Sequence, residues 1–171
     1  MRTTTSPHRL LNNPFLSGIL LLLGLFWTGC AKVYYDKSQP IDPKGWAYAD
    51  AVEFQFEIKD TTQRYTVVLE VTHANEYAFQ NAYCLLRVEF PDTTKTPVRS
   101  SQISMEFSNA EGEWYGAKSG SAYTTPLKFI ENARFEQLGT YKIRLQQNSR
   151  QAVLEHIQAL RLRVLPYLPE S

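Results

Sequence analysis

Between Ala51 and Val71 the chain alternates apolar and polar residues, and this pattern limits the folds open to it more than any other feature. Val52, Phe54, Phe56 and Ile58 share one phase, while Glu53, Gln55 and Glu57 take the other. After the turn residues Asp60-Thr61-Thr62-Gln63, Tyr65, Val67, Leu69 and Val71 alternate with Arg64, Thr66, Val68 and Glu70. Successive side chains of a strand point to opposite faces, so each run makes a half-buried strand. The two are expected to pair as a hairpin. Further strands are predicted at 83–90, 102–107, 113–116, 127–130, 140–147 and 160–165. In the later ones Tyr141, Ile143 and Leu145 alternate with Lys142, Arg144 and Gln146, and Leu160, Leu162 and Val164 with Arg161 and Arg163. One segment, 151–159, sets Val153, Leu154, Ile157 and Leu160 at helical spacing and predicts a short helix. About seven or eight short strands separated by turn residues predict an all-β fold, an antiparallel β-sandwich of Ig-like or jelly-roll-like type.

The N-terminal region follows a different logic. Arg2 and Arg9 precede an uncharged apolar run at 15–27, and no acidic residue occurs before Asp36. At about 13 residues the run is shorter than the roughly 20 a membrane-spanning helix requires, and it has the layout of a signal peptide. Thr28, Gly29 and Cys30 close it in a manner that resembles the lipobox of bacterial lipoproteins, with Trp27 where an aliphatic residue is usual. Cys30 is therefore expected to be lipidated on sulfur, to become the first mature residue and to attach the protein to a membrane. Residues 32–50 mix Tyr34, Tyr35, Pro40, Pro43 and Gly45 with charges and show neither strand nor helix period, as in a tether that docks only in part. The expected division is a signal peptide at 1–29, a lipidated N-terminus and tether at 30–50, a β-sandwich at 51–166 and a C-terminal tail at 167–171. Ala31-Lys32-Val33-Tyr34 carries neither an aspartate retention signal nor an acidic surface-export cluster. An outer-membrane lipoprotein facing the periplasm is the expected location.

Once Arg2 and Arg9 leave, 16 Lys and Arg stand against 17 Asp and Glu. Near-neutrality argues against nucleic acid or a polybasic lipid contact, both of which need clustered cations. Cys84 becomes the one free thiol, and its alternation with Leu86, Val88 and Phe90 marks a buried small residue. His73 and His156 lack the paired spacing of a zinc site, so no metal is expected, and neither is a convincing base. Gly112-Glu113-Trp114-Tyr115-Gly116-Ala117-Lys118-Ser119 approaches a phosphate-binding loop, but Gly120 and Pro126 follow where a helix would have to begin. Glu53 and Glu57 lie along a solvated strand face. No catalytic residue and no cofactor are expected. The aromatic residues Trp46, Tyr48, Tyr77, Phe79, Trp114, Tyr115 and Tyr123 fall in or near loops, where sandwiches that bind glycans or peptides carry stacking rings.

The order of elements resembles the gliding-motility lipoprotein GldH family of Bacteroidota. The resemblance rests on the lipidated cysteine and on Gly45-Trp46, Phe54-x-Phe56 with Asp60-Thr61, Tyr77-x-Phe79-x-Asn81 and Phe90-Pro91. It continues through Gly112-x-Trp114-x-Gly116, Phe135, Gly139-Thr140-Tyr141, Leu154, Ile157 and Leu162-Arg163-Val164. After the Gly-Thr-Tyr strand, Gln147-Asn148-Ser149-Arg150 replaces a His-Ala-Met-Arg-like run of the family pattern and keeps only its arginine. The resemblance implies a non-enzymatic cell-envelope lipoprotein of gliding motility, linked to the type IX secretion and motility apparatus and partnered with other envelope proteins. The alternative function is a periplasmic glycan- or peptide-binding module. Asp60-Thr61-Thr62 and Asp92-Thr93-Thr94 also resemble the O-glycosylation sequon of that phylum, making Thr61 and Thr93 candidate acceptors. Tyr141, after Gly139-Thr140, resembles a tyrosine corner with a buried ring, whereas Tyr34 in the tether is expected to contribute little stability.

Overall fold

The computed structural model describes residues 33–92, 94, 96 and 98–169; the leader with Cys30, and Thr93, lie outside them. Eleven strands follow in order: β1 (Tyr35–Pro40), β2 (Trp46–Ala47), β3 (Ala51–Ile58), β4 (Arg64–Ala74), β5 (Asn81–Glu89), β6 (Arg99–Glu106), β7 (Ala117–Ser119), β8 (Ala122–Arg134), β9 (Gly139–Gln147), β10 (Val153–Leu154) and β11 (Ile157–Pro166). A five-stranded sheet, β1-β11-β4-β8-β7, packs against a four-stranded sheet, β3-β9-β5-β6, and β2 pairs with β10 in a short ribbon. All the pairings are antiparallel. The all-β sandwich expected from the alternation is the architecture found.

The core is the meeting of two inward phases. Tyr65, Val67, Leu69 and Val71 of β4 and Leu160, Leu162 and Val164 of β11 face Phe54, Phe56 and Ile58 of β3, Tyr141, Ile143 and Leu145 of β9, and Ala82, Cys84 and Leu86 of β5. Each large side chain so buried contributes roughly 1.5–3 kcal/mol of transfer free energy. Those apolar stripes explain why β3 and β4 do not form the expected hairpin. β3 pairs with β9, with Phe56 beside Tyr141, while β4 lies between β11 and β8. Opposed sheets cover both stripes at once, so the 59–63 connection turns a corner between sheets. Asp60 fixes that corner: its Oδ1 accepts from the Thr62 amide at 2.7 Å and from the Thr62 hydroxyl at 2.6 Å.

Four other expectations give way. Part of the tether is structural, because β1 pairs with β11 over six positions from Tyr35↔Val164 to Pro40↔Ala159, and Trp46 of β2, paired with Leu154 of β10, is buried. β1 shows no alternation because it is an edge strand, with only Tyr35 partly covered. Tyr34 is structural too: its hydroxyl accepts from the Lys59 amide at 2.7 Å, and its ring meets Tyr65 edge-on at 5.2 Å. The expected helix at 151–159 is instead two strands joined by a tight turn at Glu155-His156, with His156 at φ 68°; β10 pairs with β2, and β11 with β4 and β1. The turn and a bulge at Ile157/Ala159 each break the period-two phase, so buried Leu154, Ile157 and Leu160 recur every third position and imitate a helix. The strand expected at 113–116 is reduced to one bridge, Ser108↔Trp114.

The connections define two ends. At one, Tyr34, Phe56, Tyr65, Phe90, Phe135 and Tyr141 make a contiguous ring cluster. At the other, Tyr77, Phe107, Trp114 and Tyr123 surround His73. Eight residues of β4 separate Tyr65 from His73, roughly 26 Å of extended strand. Tyr141 forms the expected corner, since its hydroxyl donates to the Gln137 carbonyl at 3.0 Å and accepts from the Gln137 amide at 3.2 Å. Tyr141→Ala should cost about 3–5 kcal/mol and lower the melting temperature by about 10 °C or more. Tyr34→Ala should cost about 1–2 kcal/mol for the lost hydrogen bond and ring contact. Thermal melts of both variants check this, and a Tyr34→Ala protein that melts like wild type would mean that β1 is not integral to the sandwich.

Candidate functional site

The four-stranded sheet turns its polar phase to solvent, and this outer face carries the features least explained by stability. Along β5, Asn81, Tyr83, Leu85 and Arg87 point outward opposite the buried Ala82, Cys84 and Leu86. Tyr83 and Leu85 are 42% and 39% exposed, an unusual placement for apolar side chains on a solvated strand. Beside them, β6 sets Ser104 opposite Tyr83 and Gln102 opposite Leu85, and β9 sets Gln146 on the other flank of Leu85. Where β5 begins and β9 ends, the loop after Gln147 rises to close a cleft of about 410 Å³. Phe79 and Tyr83 supply its rings, and Asn81, Gln102, Asn148 and Gln151 supply four carboxamides, joined by Ser149, Arg150 and the edge of Leu154. Among the described residues no carboxylate lines it.

The cleft is held in shape from beneath. Gln147 is fully buried, and its Nε2 donates to the carbonyls of Gln151 and Ala152 at 3.0 and 3.4 Å while its Oε1 accepts from the Ser149 amide at 2.9 Å. One buried amide thus fixes both arms of the 148–152 loop. The β5 backbone clasps the same loop: the Asn148 amide donates to the Tyr83 carbonyl at 2.7 Å, and the Tyr83 amide donates to Ser149 Oγ at 3.2 Å. Phe79 packs edge-on against buried Tyr77 at 5.7 Å, and the Tyr77 hydroxyl donates to the Asn81 carbonyl at 3.0 Å. Tyr48, 49% exposed, borders the loop on the far side, bonding Asn148 Oδ1 at 3.4 Å. A second concavity, between the β6 and β8 edges, is lined largely by Ile103, Met105, Leu127 and Phe129 and offers little polar chemistry.

The residues singled out from sequence fall into separate places. Cys30 and Thr93 lie outside the described residues, and Thr61 sits in the β3–β4 corner, away from the cleft. Cys84 is buried, with its thiol pushed up to about 12 by desolvation, and it is no nucleophile. Glu53 pairs with Arg144 at 3.5 Å and Glu57 with Lys59 at 3.2 Å on a solvated face. The 112–119 segment forms a turn followed by β7. Gly116 is pressed against β8, where an added Cβ would stand 2.7 Å from Thr125 Oγ1 and 2.8 Å from the Thr124 backbone. Trp46 and Tyr77 are buried anchors, Trp114 and Tyr123 are partly buried around His73, and Tyr48, Phe79 and Tyr115 are exposed. Tyr83 was the ring missed from sequence; its signal was an aromatic residue on the outward phase of an alternating strand. Among the described residues no group of three His, Cys, Asp or Glu side chains is placed to share a metal ion.

The family profile described as GldH lipoprotein matches residues 33–164, nearly the whole sandwich. The chain belongs to the GldH lipoprotein family. A gliding motility lipoprotein GldH homolog of Christiangramia forsetii is 26% identical over 133 residues, covering 77% of this chain and 79% of that one. The gliding motility lipoprotein GldH of Flavobacterium johnsoniae is 23% identical over 137 residues, covering 80% and 82%. Among solved structures, a non-crystalline cellulose specific carbohydrate-binding module, CBM28, overlaps 77% of this chain and 72% of its own with a TM-score of 0.38 and 13% identity. Most residues that carry the GldH resemblance are structural. Gly45, at φ 108°, lies where a Cβ would meet the Leu154 carbonyl at 2.5 Å, and Trp46 Nε1 donates to the Asp50 carbonyl at 2.9 Å. Phe79, Asn81 and Leu154 alone among them line the cleft, and the 147–150 run that departs from the family pattern walls it.

His73 supplies a pH test of this end of the molecule. It is fully buried, and desolvation holds its imidazole below the ordinary histidine range, although Nδ1 bonds the Ala74 carbonyl at 2.9 Å. A histidine depressed by folding leaves stability intact above its unfolded value of about 6.5, and stability falls as pH drops from there toward the folded value, because the unfolded chain binds the proton first. His73→Phe, which keeps a ring among its neighbours, should flatten the pH dependence of urea unfolding between about pH 7 and 5. Equal slopes for variant and wild type would show that His73 titrates alike in both states.

Proposed function

We propose that this chain is a non-enzymatic cell-envelope lipoprotein of gliding motility, acting with the motility and type IX secretion apparatus of the envelope. The match of the family profile to residues 33–164 supports the reading most directly, and the names of both relatives agree with it. Residues 1–29 are removed as a signal peptide and Cys30 carries the lipid. The mature chain then comprises a very short link, a sandwich that includes β1, and a brief C-terminal tail. The lipid attaches the protein to the outer membrane and the domain faces the periplasm, where other envelope proteins meet it.

The position of β1 bears on how the domain is held. Tyr35 lies five positions after Cys30, a reach of at most about 18 Å fully extended. A link that short keeps the end bearing Tyr65 and Tyr141 close to the bilayer. Exposed Val33, Leu138 and Leu168 lie at that end, with Lys59, Arg64, Arg99 and Arg134 around them. The cleft, at the opposite end of β5 and β9, faces away from the membrane. Thr61 and Thr93 are the proposed glycan acceptors; in the β3–β4 corner Asp60 bonds the hydroxyl of Thr62, which leaves the Thr61 hydroxyl out of that turn bond.

Each buried acyl methylene contributes about 0.8 kcal/mol, so two or three chains give lasting attachment. Cys30→Ala should therefore move the folded domain from the membrane pellet to the soluble fraction. A folded Cys30→Ala protein that still sediments with membranes would refute the lipid anchor. Intact-mass spectrometry of the wild-type protein from its native host should read the acyl groups together with glycan mass at Thr61 and Thr93, and an unmodified mass would refute both assignments.

A further inference from the structure

We propose that the cleft between β5 and the 148–152 loop is an oligosaccharide-binding site. Its chemistry matches a polyhydroxylated ligand better than a protein surface or an ion. Phe79 and Tyr83 line it with rings 38% and 42% exposed, apolar surface of the kind on which the C–H face of a pyranose stacks, and Tyr77 holds the Phe79 ring by an edge contact. Asn81, Gln102, Asn148 and Gln151 each combine a donor and an acceptor on one planar group, the pattern that pairs with adjacent hydroxyls of a sugar ring. Arg150 adds a cation, and among the described residues no carboxylate lines the cleft beside it, so neutral and carboxylated sugars both fit.

Preorganisation distinguishes this cleft from a chance grouping of polar side chains. Surface amides ordinarily lose freedom when a ligand orders them, and that loss weakens binding. Here buried Gln147 fixes the loop before any ligand arrives, Glu106 Oε1 accepts from Asn81 Nδ2 at 3.4 Å, and Asn148 Nδ2 donates to Gln102 Oε1 at 3.2 Å. The polar wall is bonded together from β5 across to the loop. Its volume falls within the range of small-ligand sites. Outward Leu85, between Gln102 and Gln146, extends the apolar track along the sheet and makes room for a chain of several sugar units.

The site stands on this geometry and not on the lipid anchor, so it is tested apart from attachment. The full-length lipoprotein, in a detergent without a sugar headgroup, is titrated calorimetrically with tetrasaccharides of β-linked glucose, β-linked N-acetylglucosamine, mannose and glucuronate, and with a Thr-Val repeat peptide. At least one saccharide should bind with a Kd on the order of 0.1–1 mM, as expected for a shallow preformed site. Tyr83→Ala and Gln102→Ala, both at exposed positions, should each weaken that binding about tenfold or more with an unchanged melting temperature. Tyr115→Ala, an exposed ring outside the cleft, should leave it unaltered. The proposal is overturned if no saccharide binds below about 10 mM, if only the peptide binds, or if Tyr83→Ala binds like wild type.

Discussion

The inward stripe of β4, from Tyr65 to Val71, is covered by the opposed sheet, and that mutual covering decides where every other element goes. β4 and β9 are central strands, and each needs the other sheet to keep its apolar phase from water. Large rings can complete such a core only if their polar atoms find partners. They do so locally. Tyr65 donates to the Asp60 carbonyl, Tyr77 to Asn81, Tyr141 to Gln137 and Trp46 to Asp50, each across four or five residues of its own chain. The same bonds therefore satisfy the buried hydroxyl or indole and pin a connection between strands.

The edges are secured differently. On the outer face of the larger sheet, Arg161 bonds Asp36 Oδ1 at 2.6 Å and Glu70 Oε2 at 3.2 Å, while Arg163 reaches Glu70 Oε1 at 3.0 Å. The Arg161 hydrogen bond holds the Asp36 carboxyl below the usual carboxylate range. Partly exposed pairs of this kind contribute about 1 kcal/mol or less each. Their importance lies in register: two cations of β11 set against carboxylates of β1 and β4 favour one alignment of an edge strand that buries little of itself. β1 is also the strand that receives any force transmitted from the N-terminus.

The sequence displayed the sandwich wherever alternation was clean: in β3, β5 and β9 one face is buried and the other is wet, whereas β4 is covered on both faces and β11 partly so on its second. It concealed β1, an edge strand without a buried phase, and the β10–β11 connection, whose turn and bulge mimic helical spacing. Partner choice was also hidden. Nothing local distinguishes a hairpin from a corner at Asp60, since both need the same turn residues and only the covering of two stripes decides between them. The cleft was legible in fragments: Phe79 and Tyr48 stood out as loop aromatics, but Tyr83, Gln102 and Asn148 come from three separate segments joined only by folding. A resemblance carried largely by glycines and buried rings specifies the scaffold more strongly than the surface, and it reaches the cleft only through Phe79, Asn81 and Leu154.

In the proposed arrangement the link from Cys30 to β1 joins fold to function, because a sandwich tied within a few residues of a lipid would be held at the bilayer by one end. The most direct test places a spin label at Leu138→Cys, near the Tyr141 corner, or at Gln151→Cys, on the rim of the cleft, in the lipidated protein on vesicles containing a headgroup-attached relaxation agent. Buried Cys84 takes no label in either variant. With the Tyr65 end against the membrane, the label at Leu138 should relax strongly, and the label at Gln151, about 30 Å farther along the strands, should relax little. Equal relaxation at the two positions, or stronger relaxation at Gln151, would contradict the account.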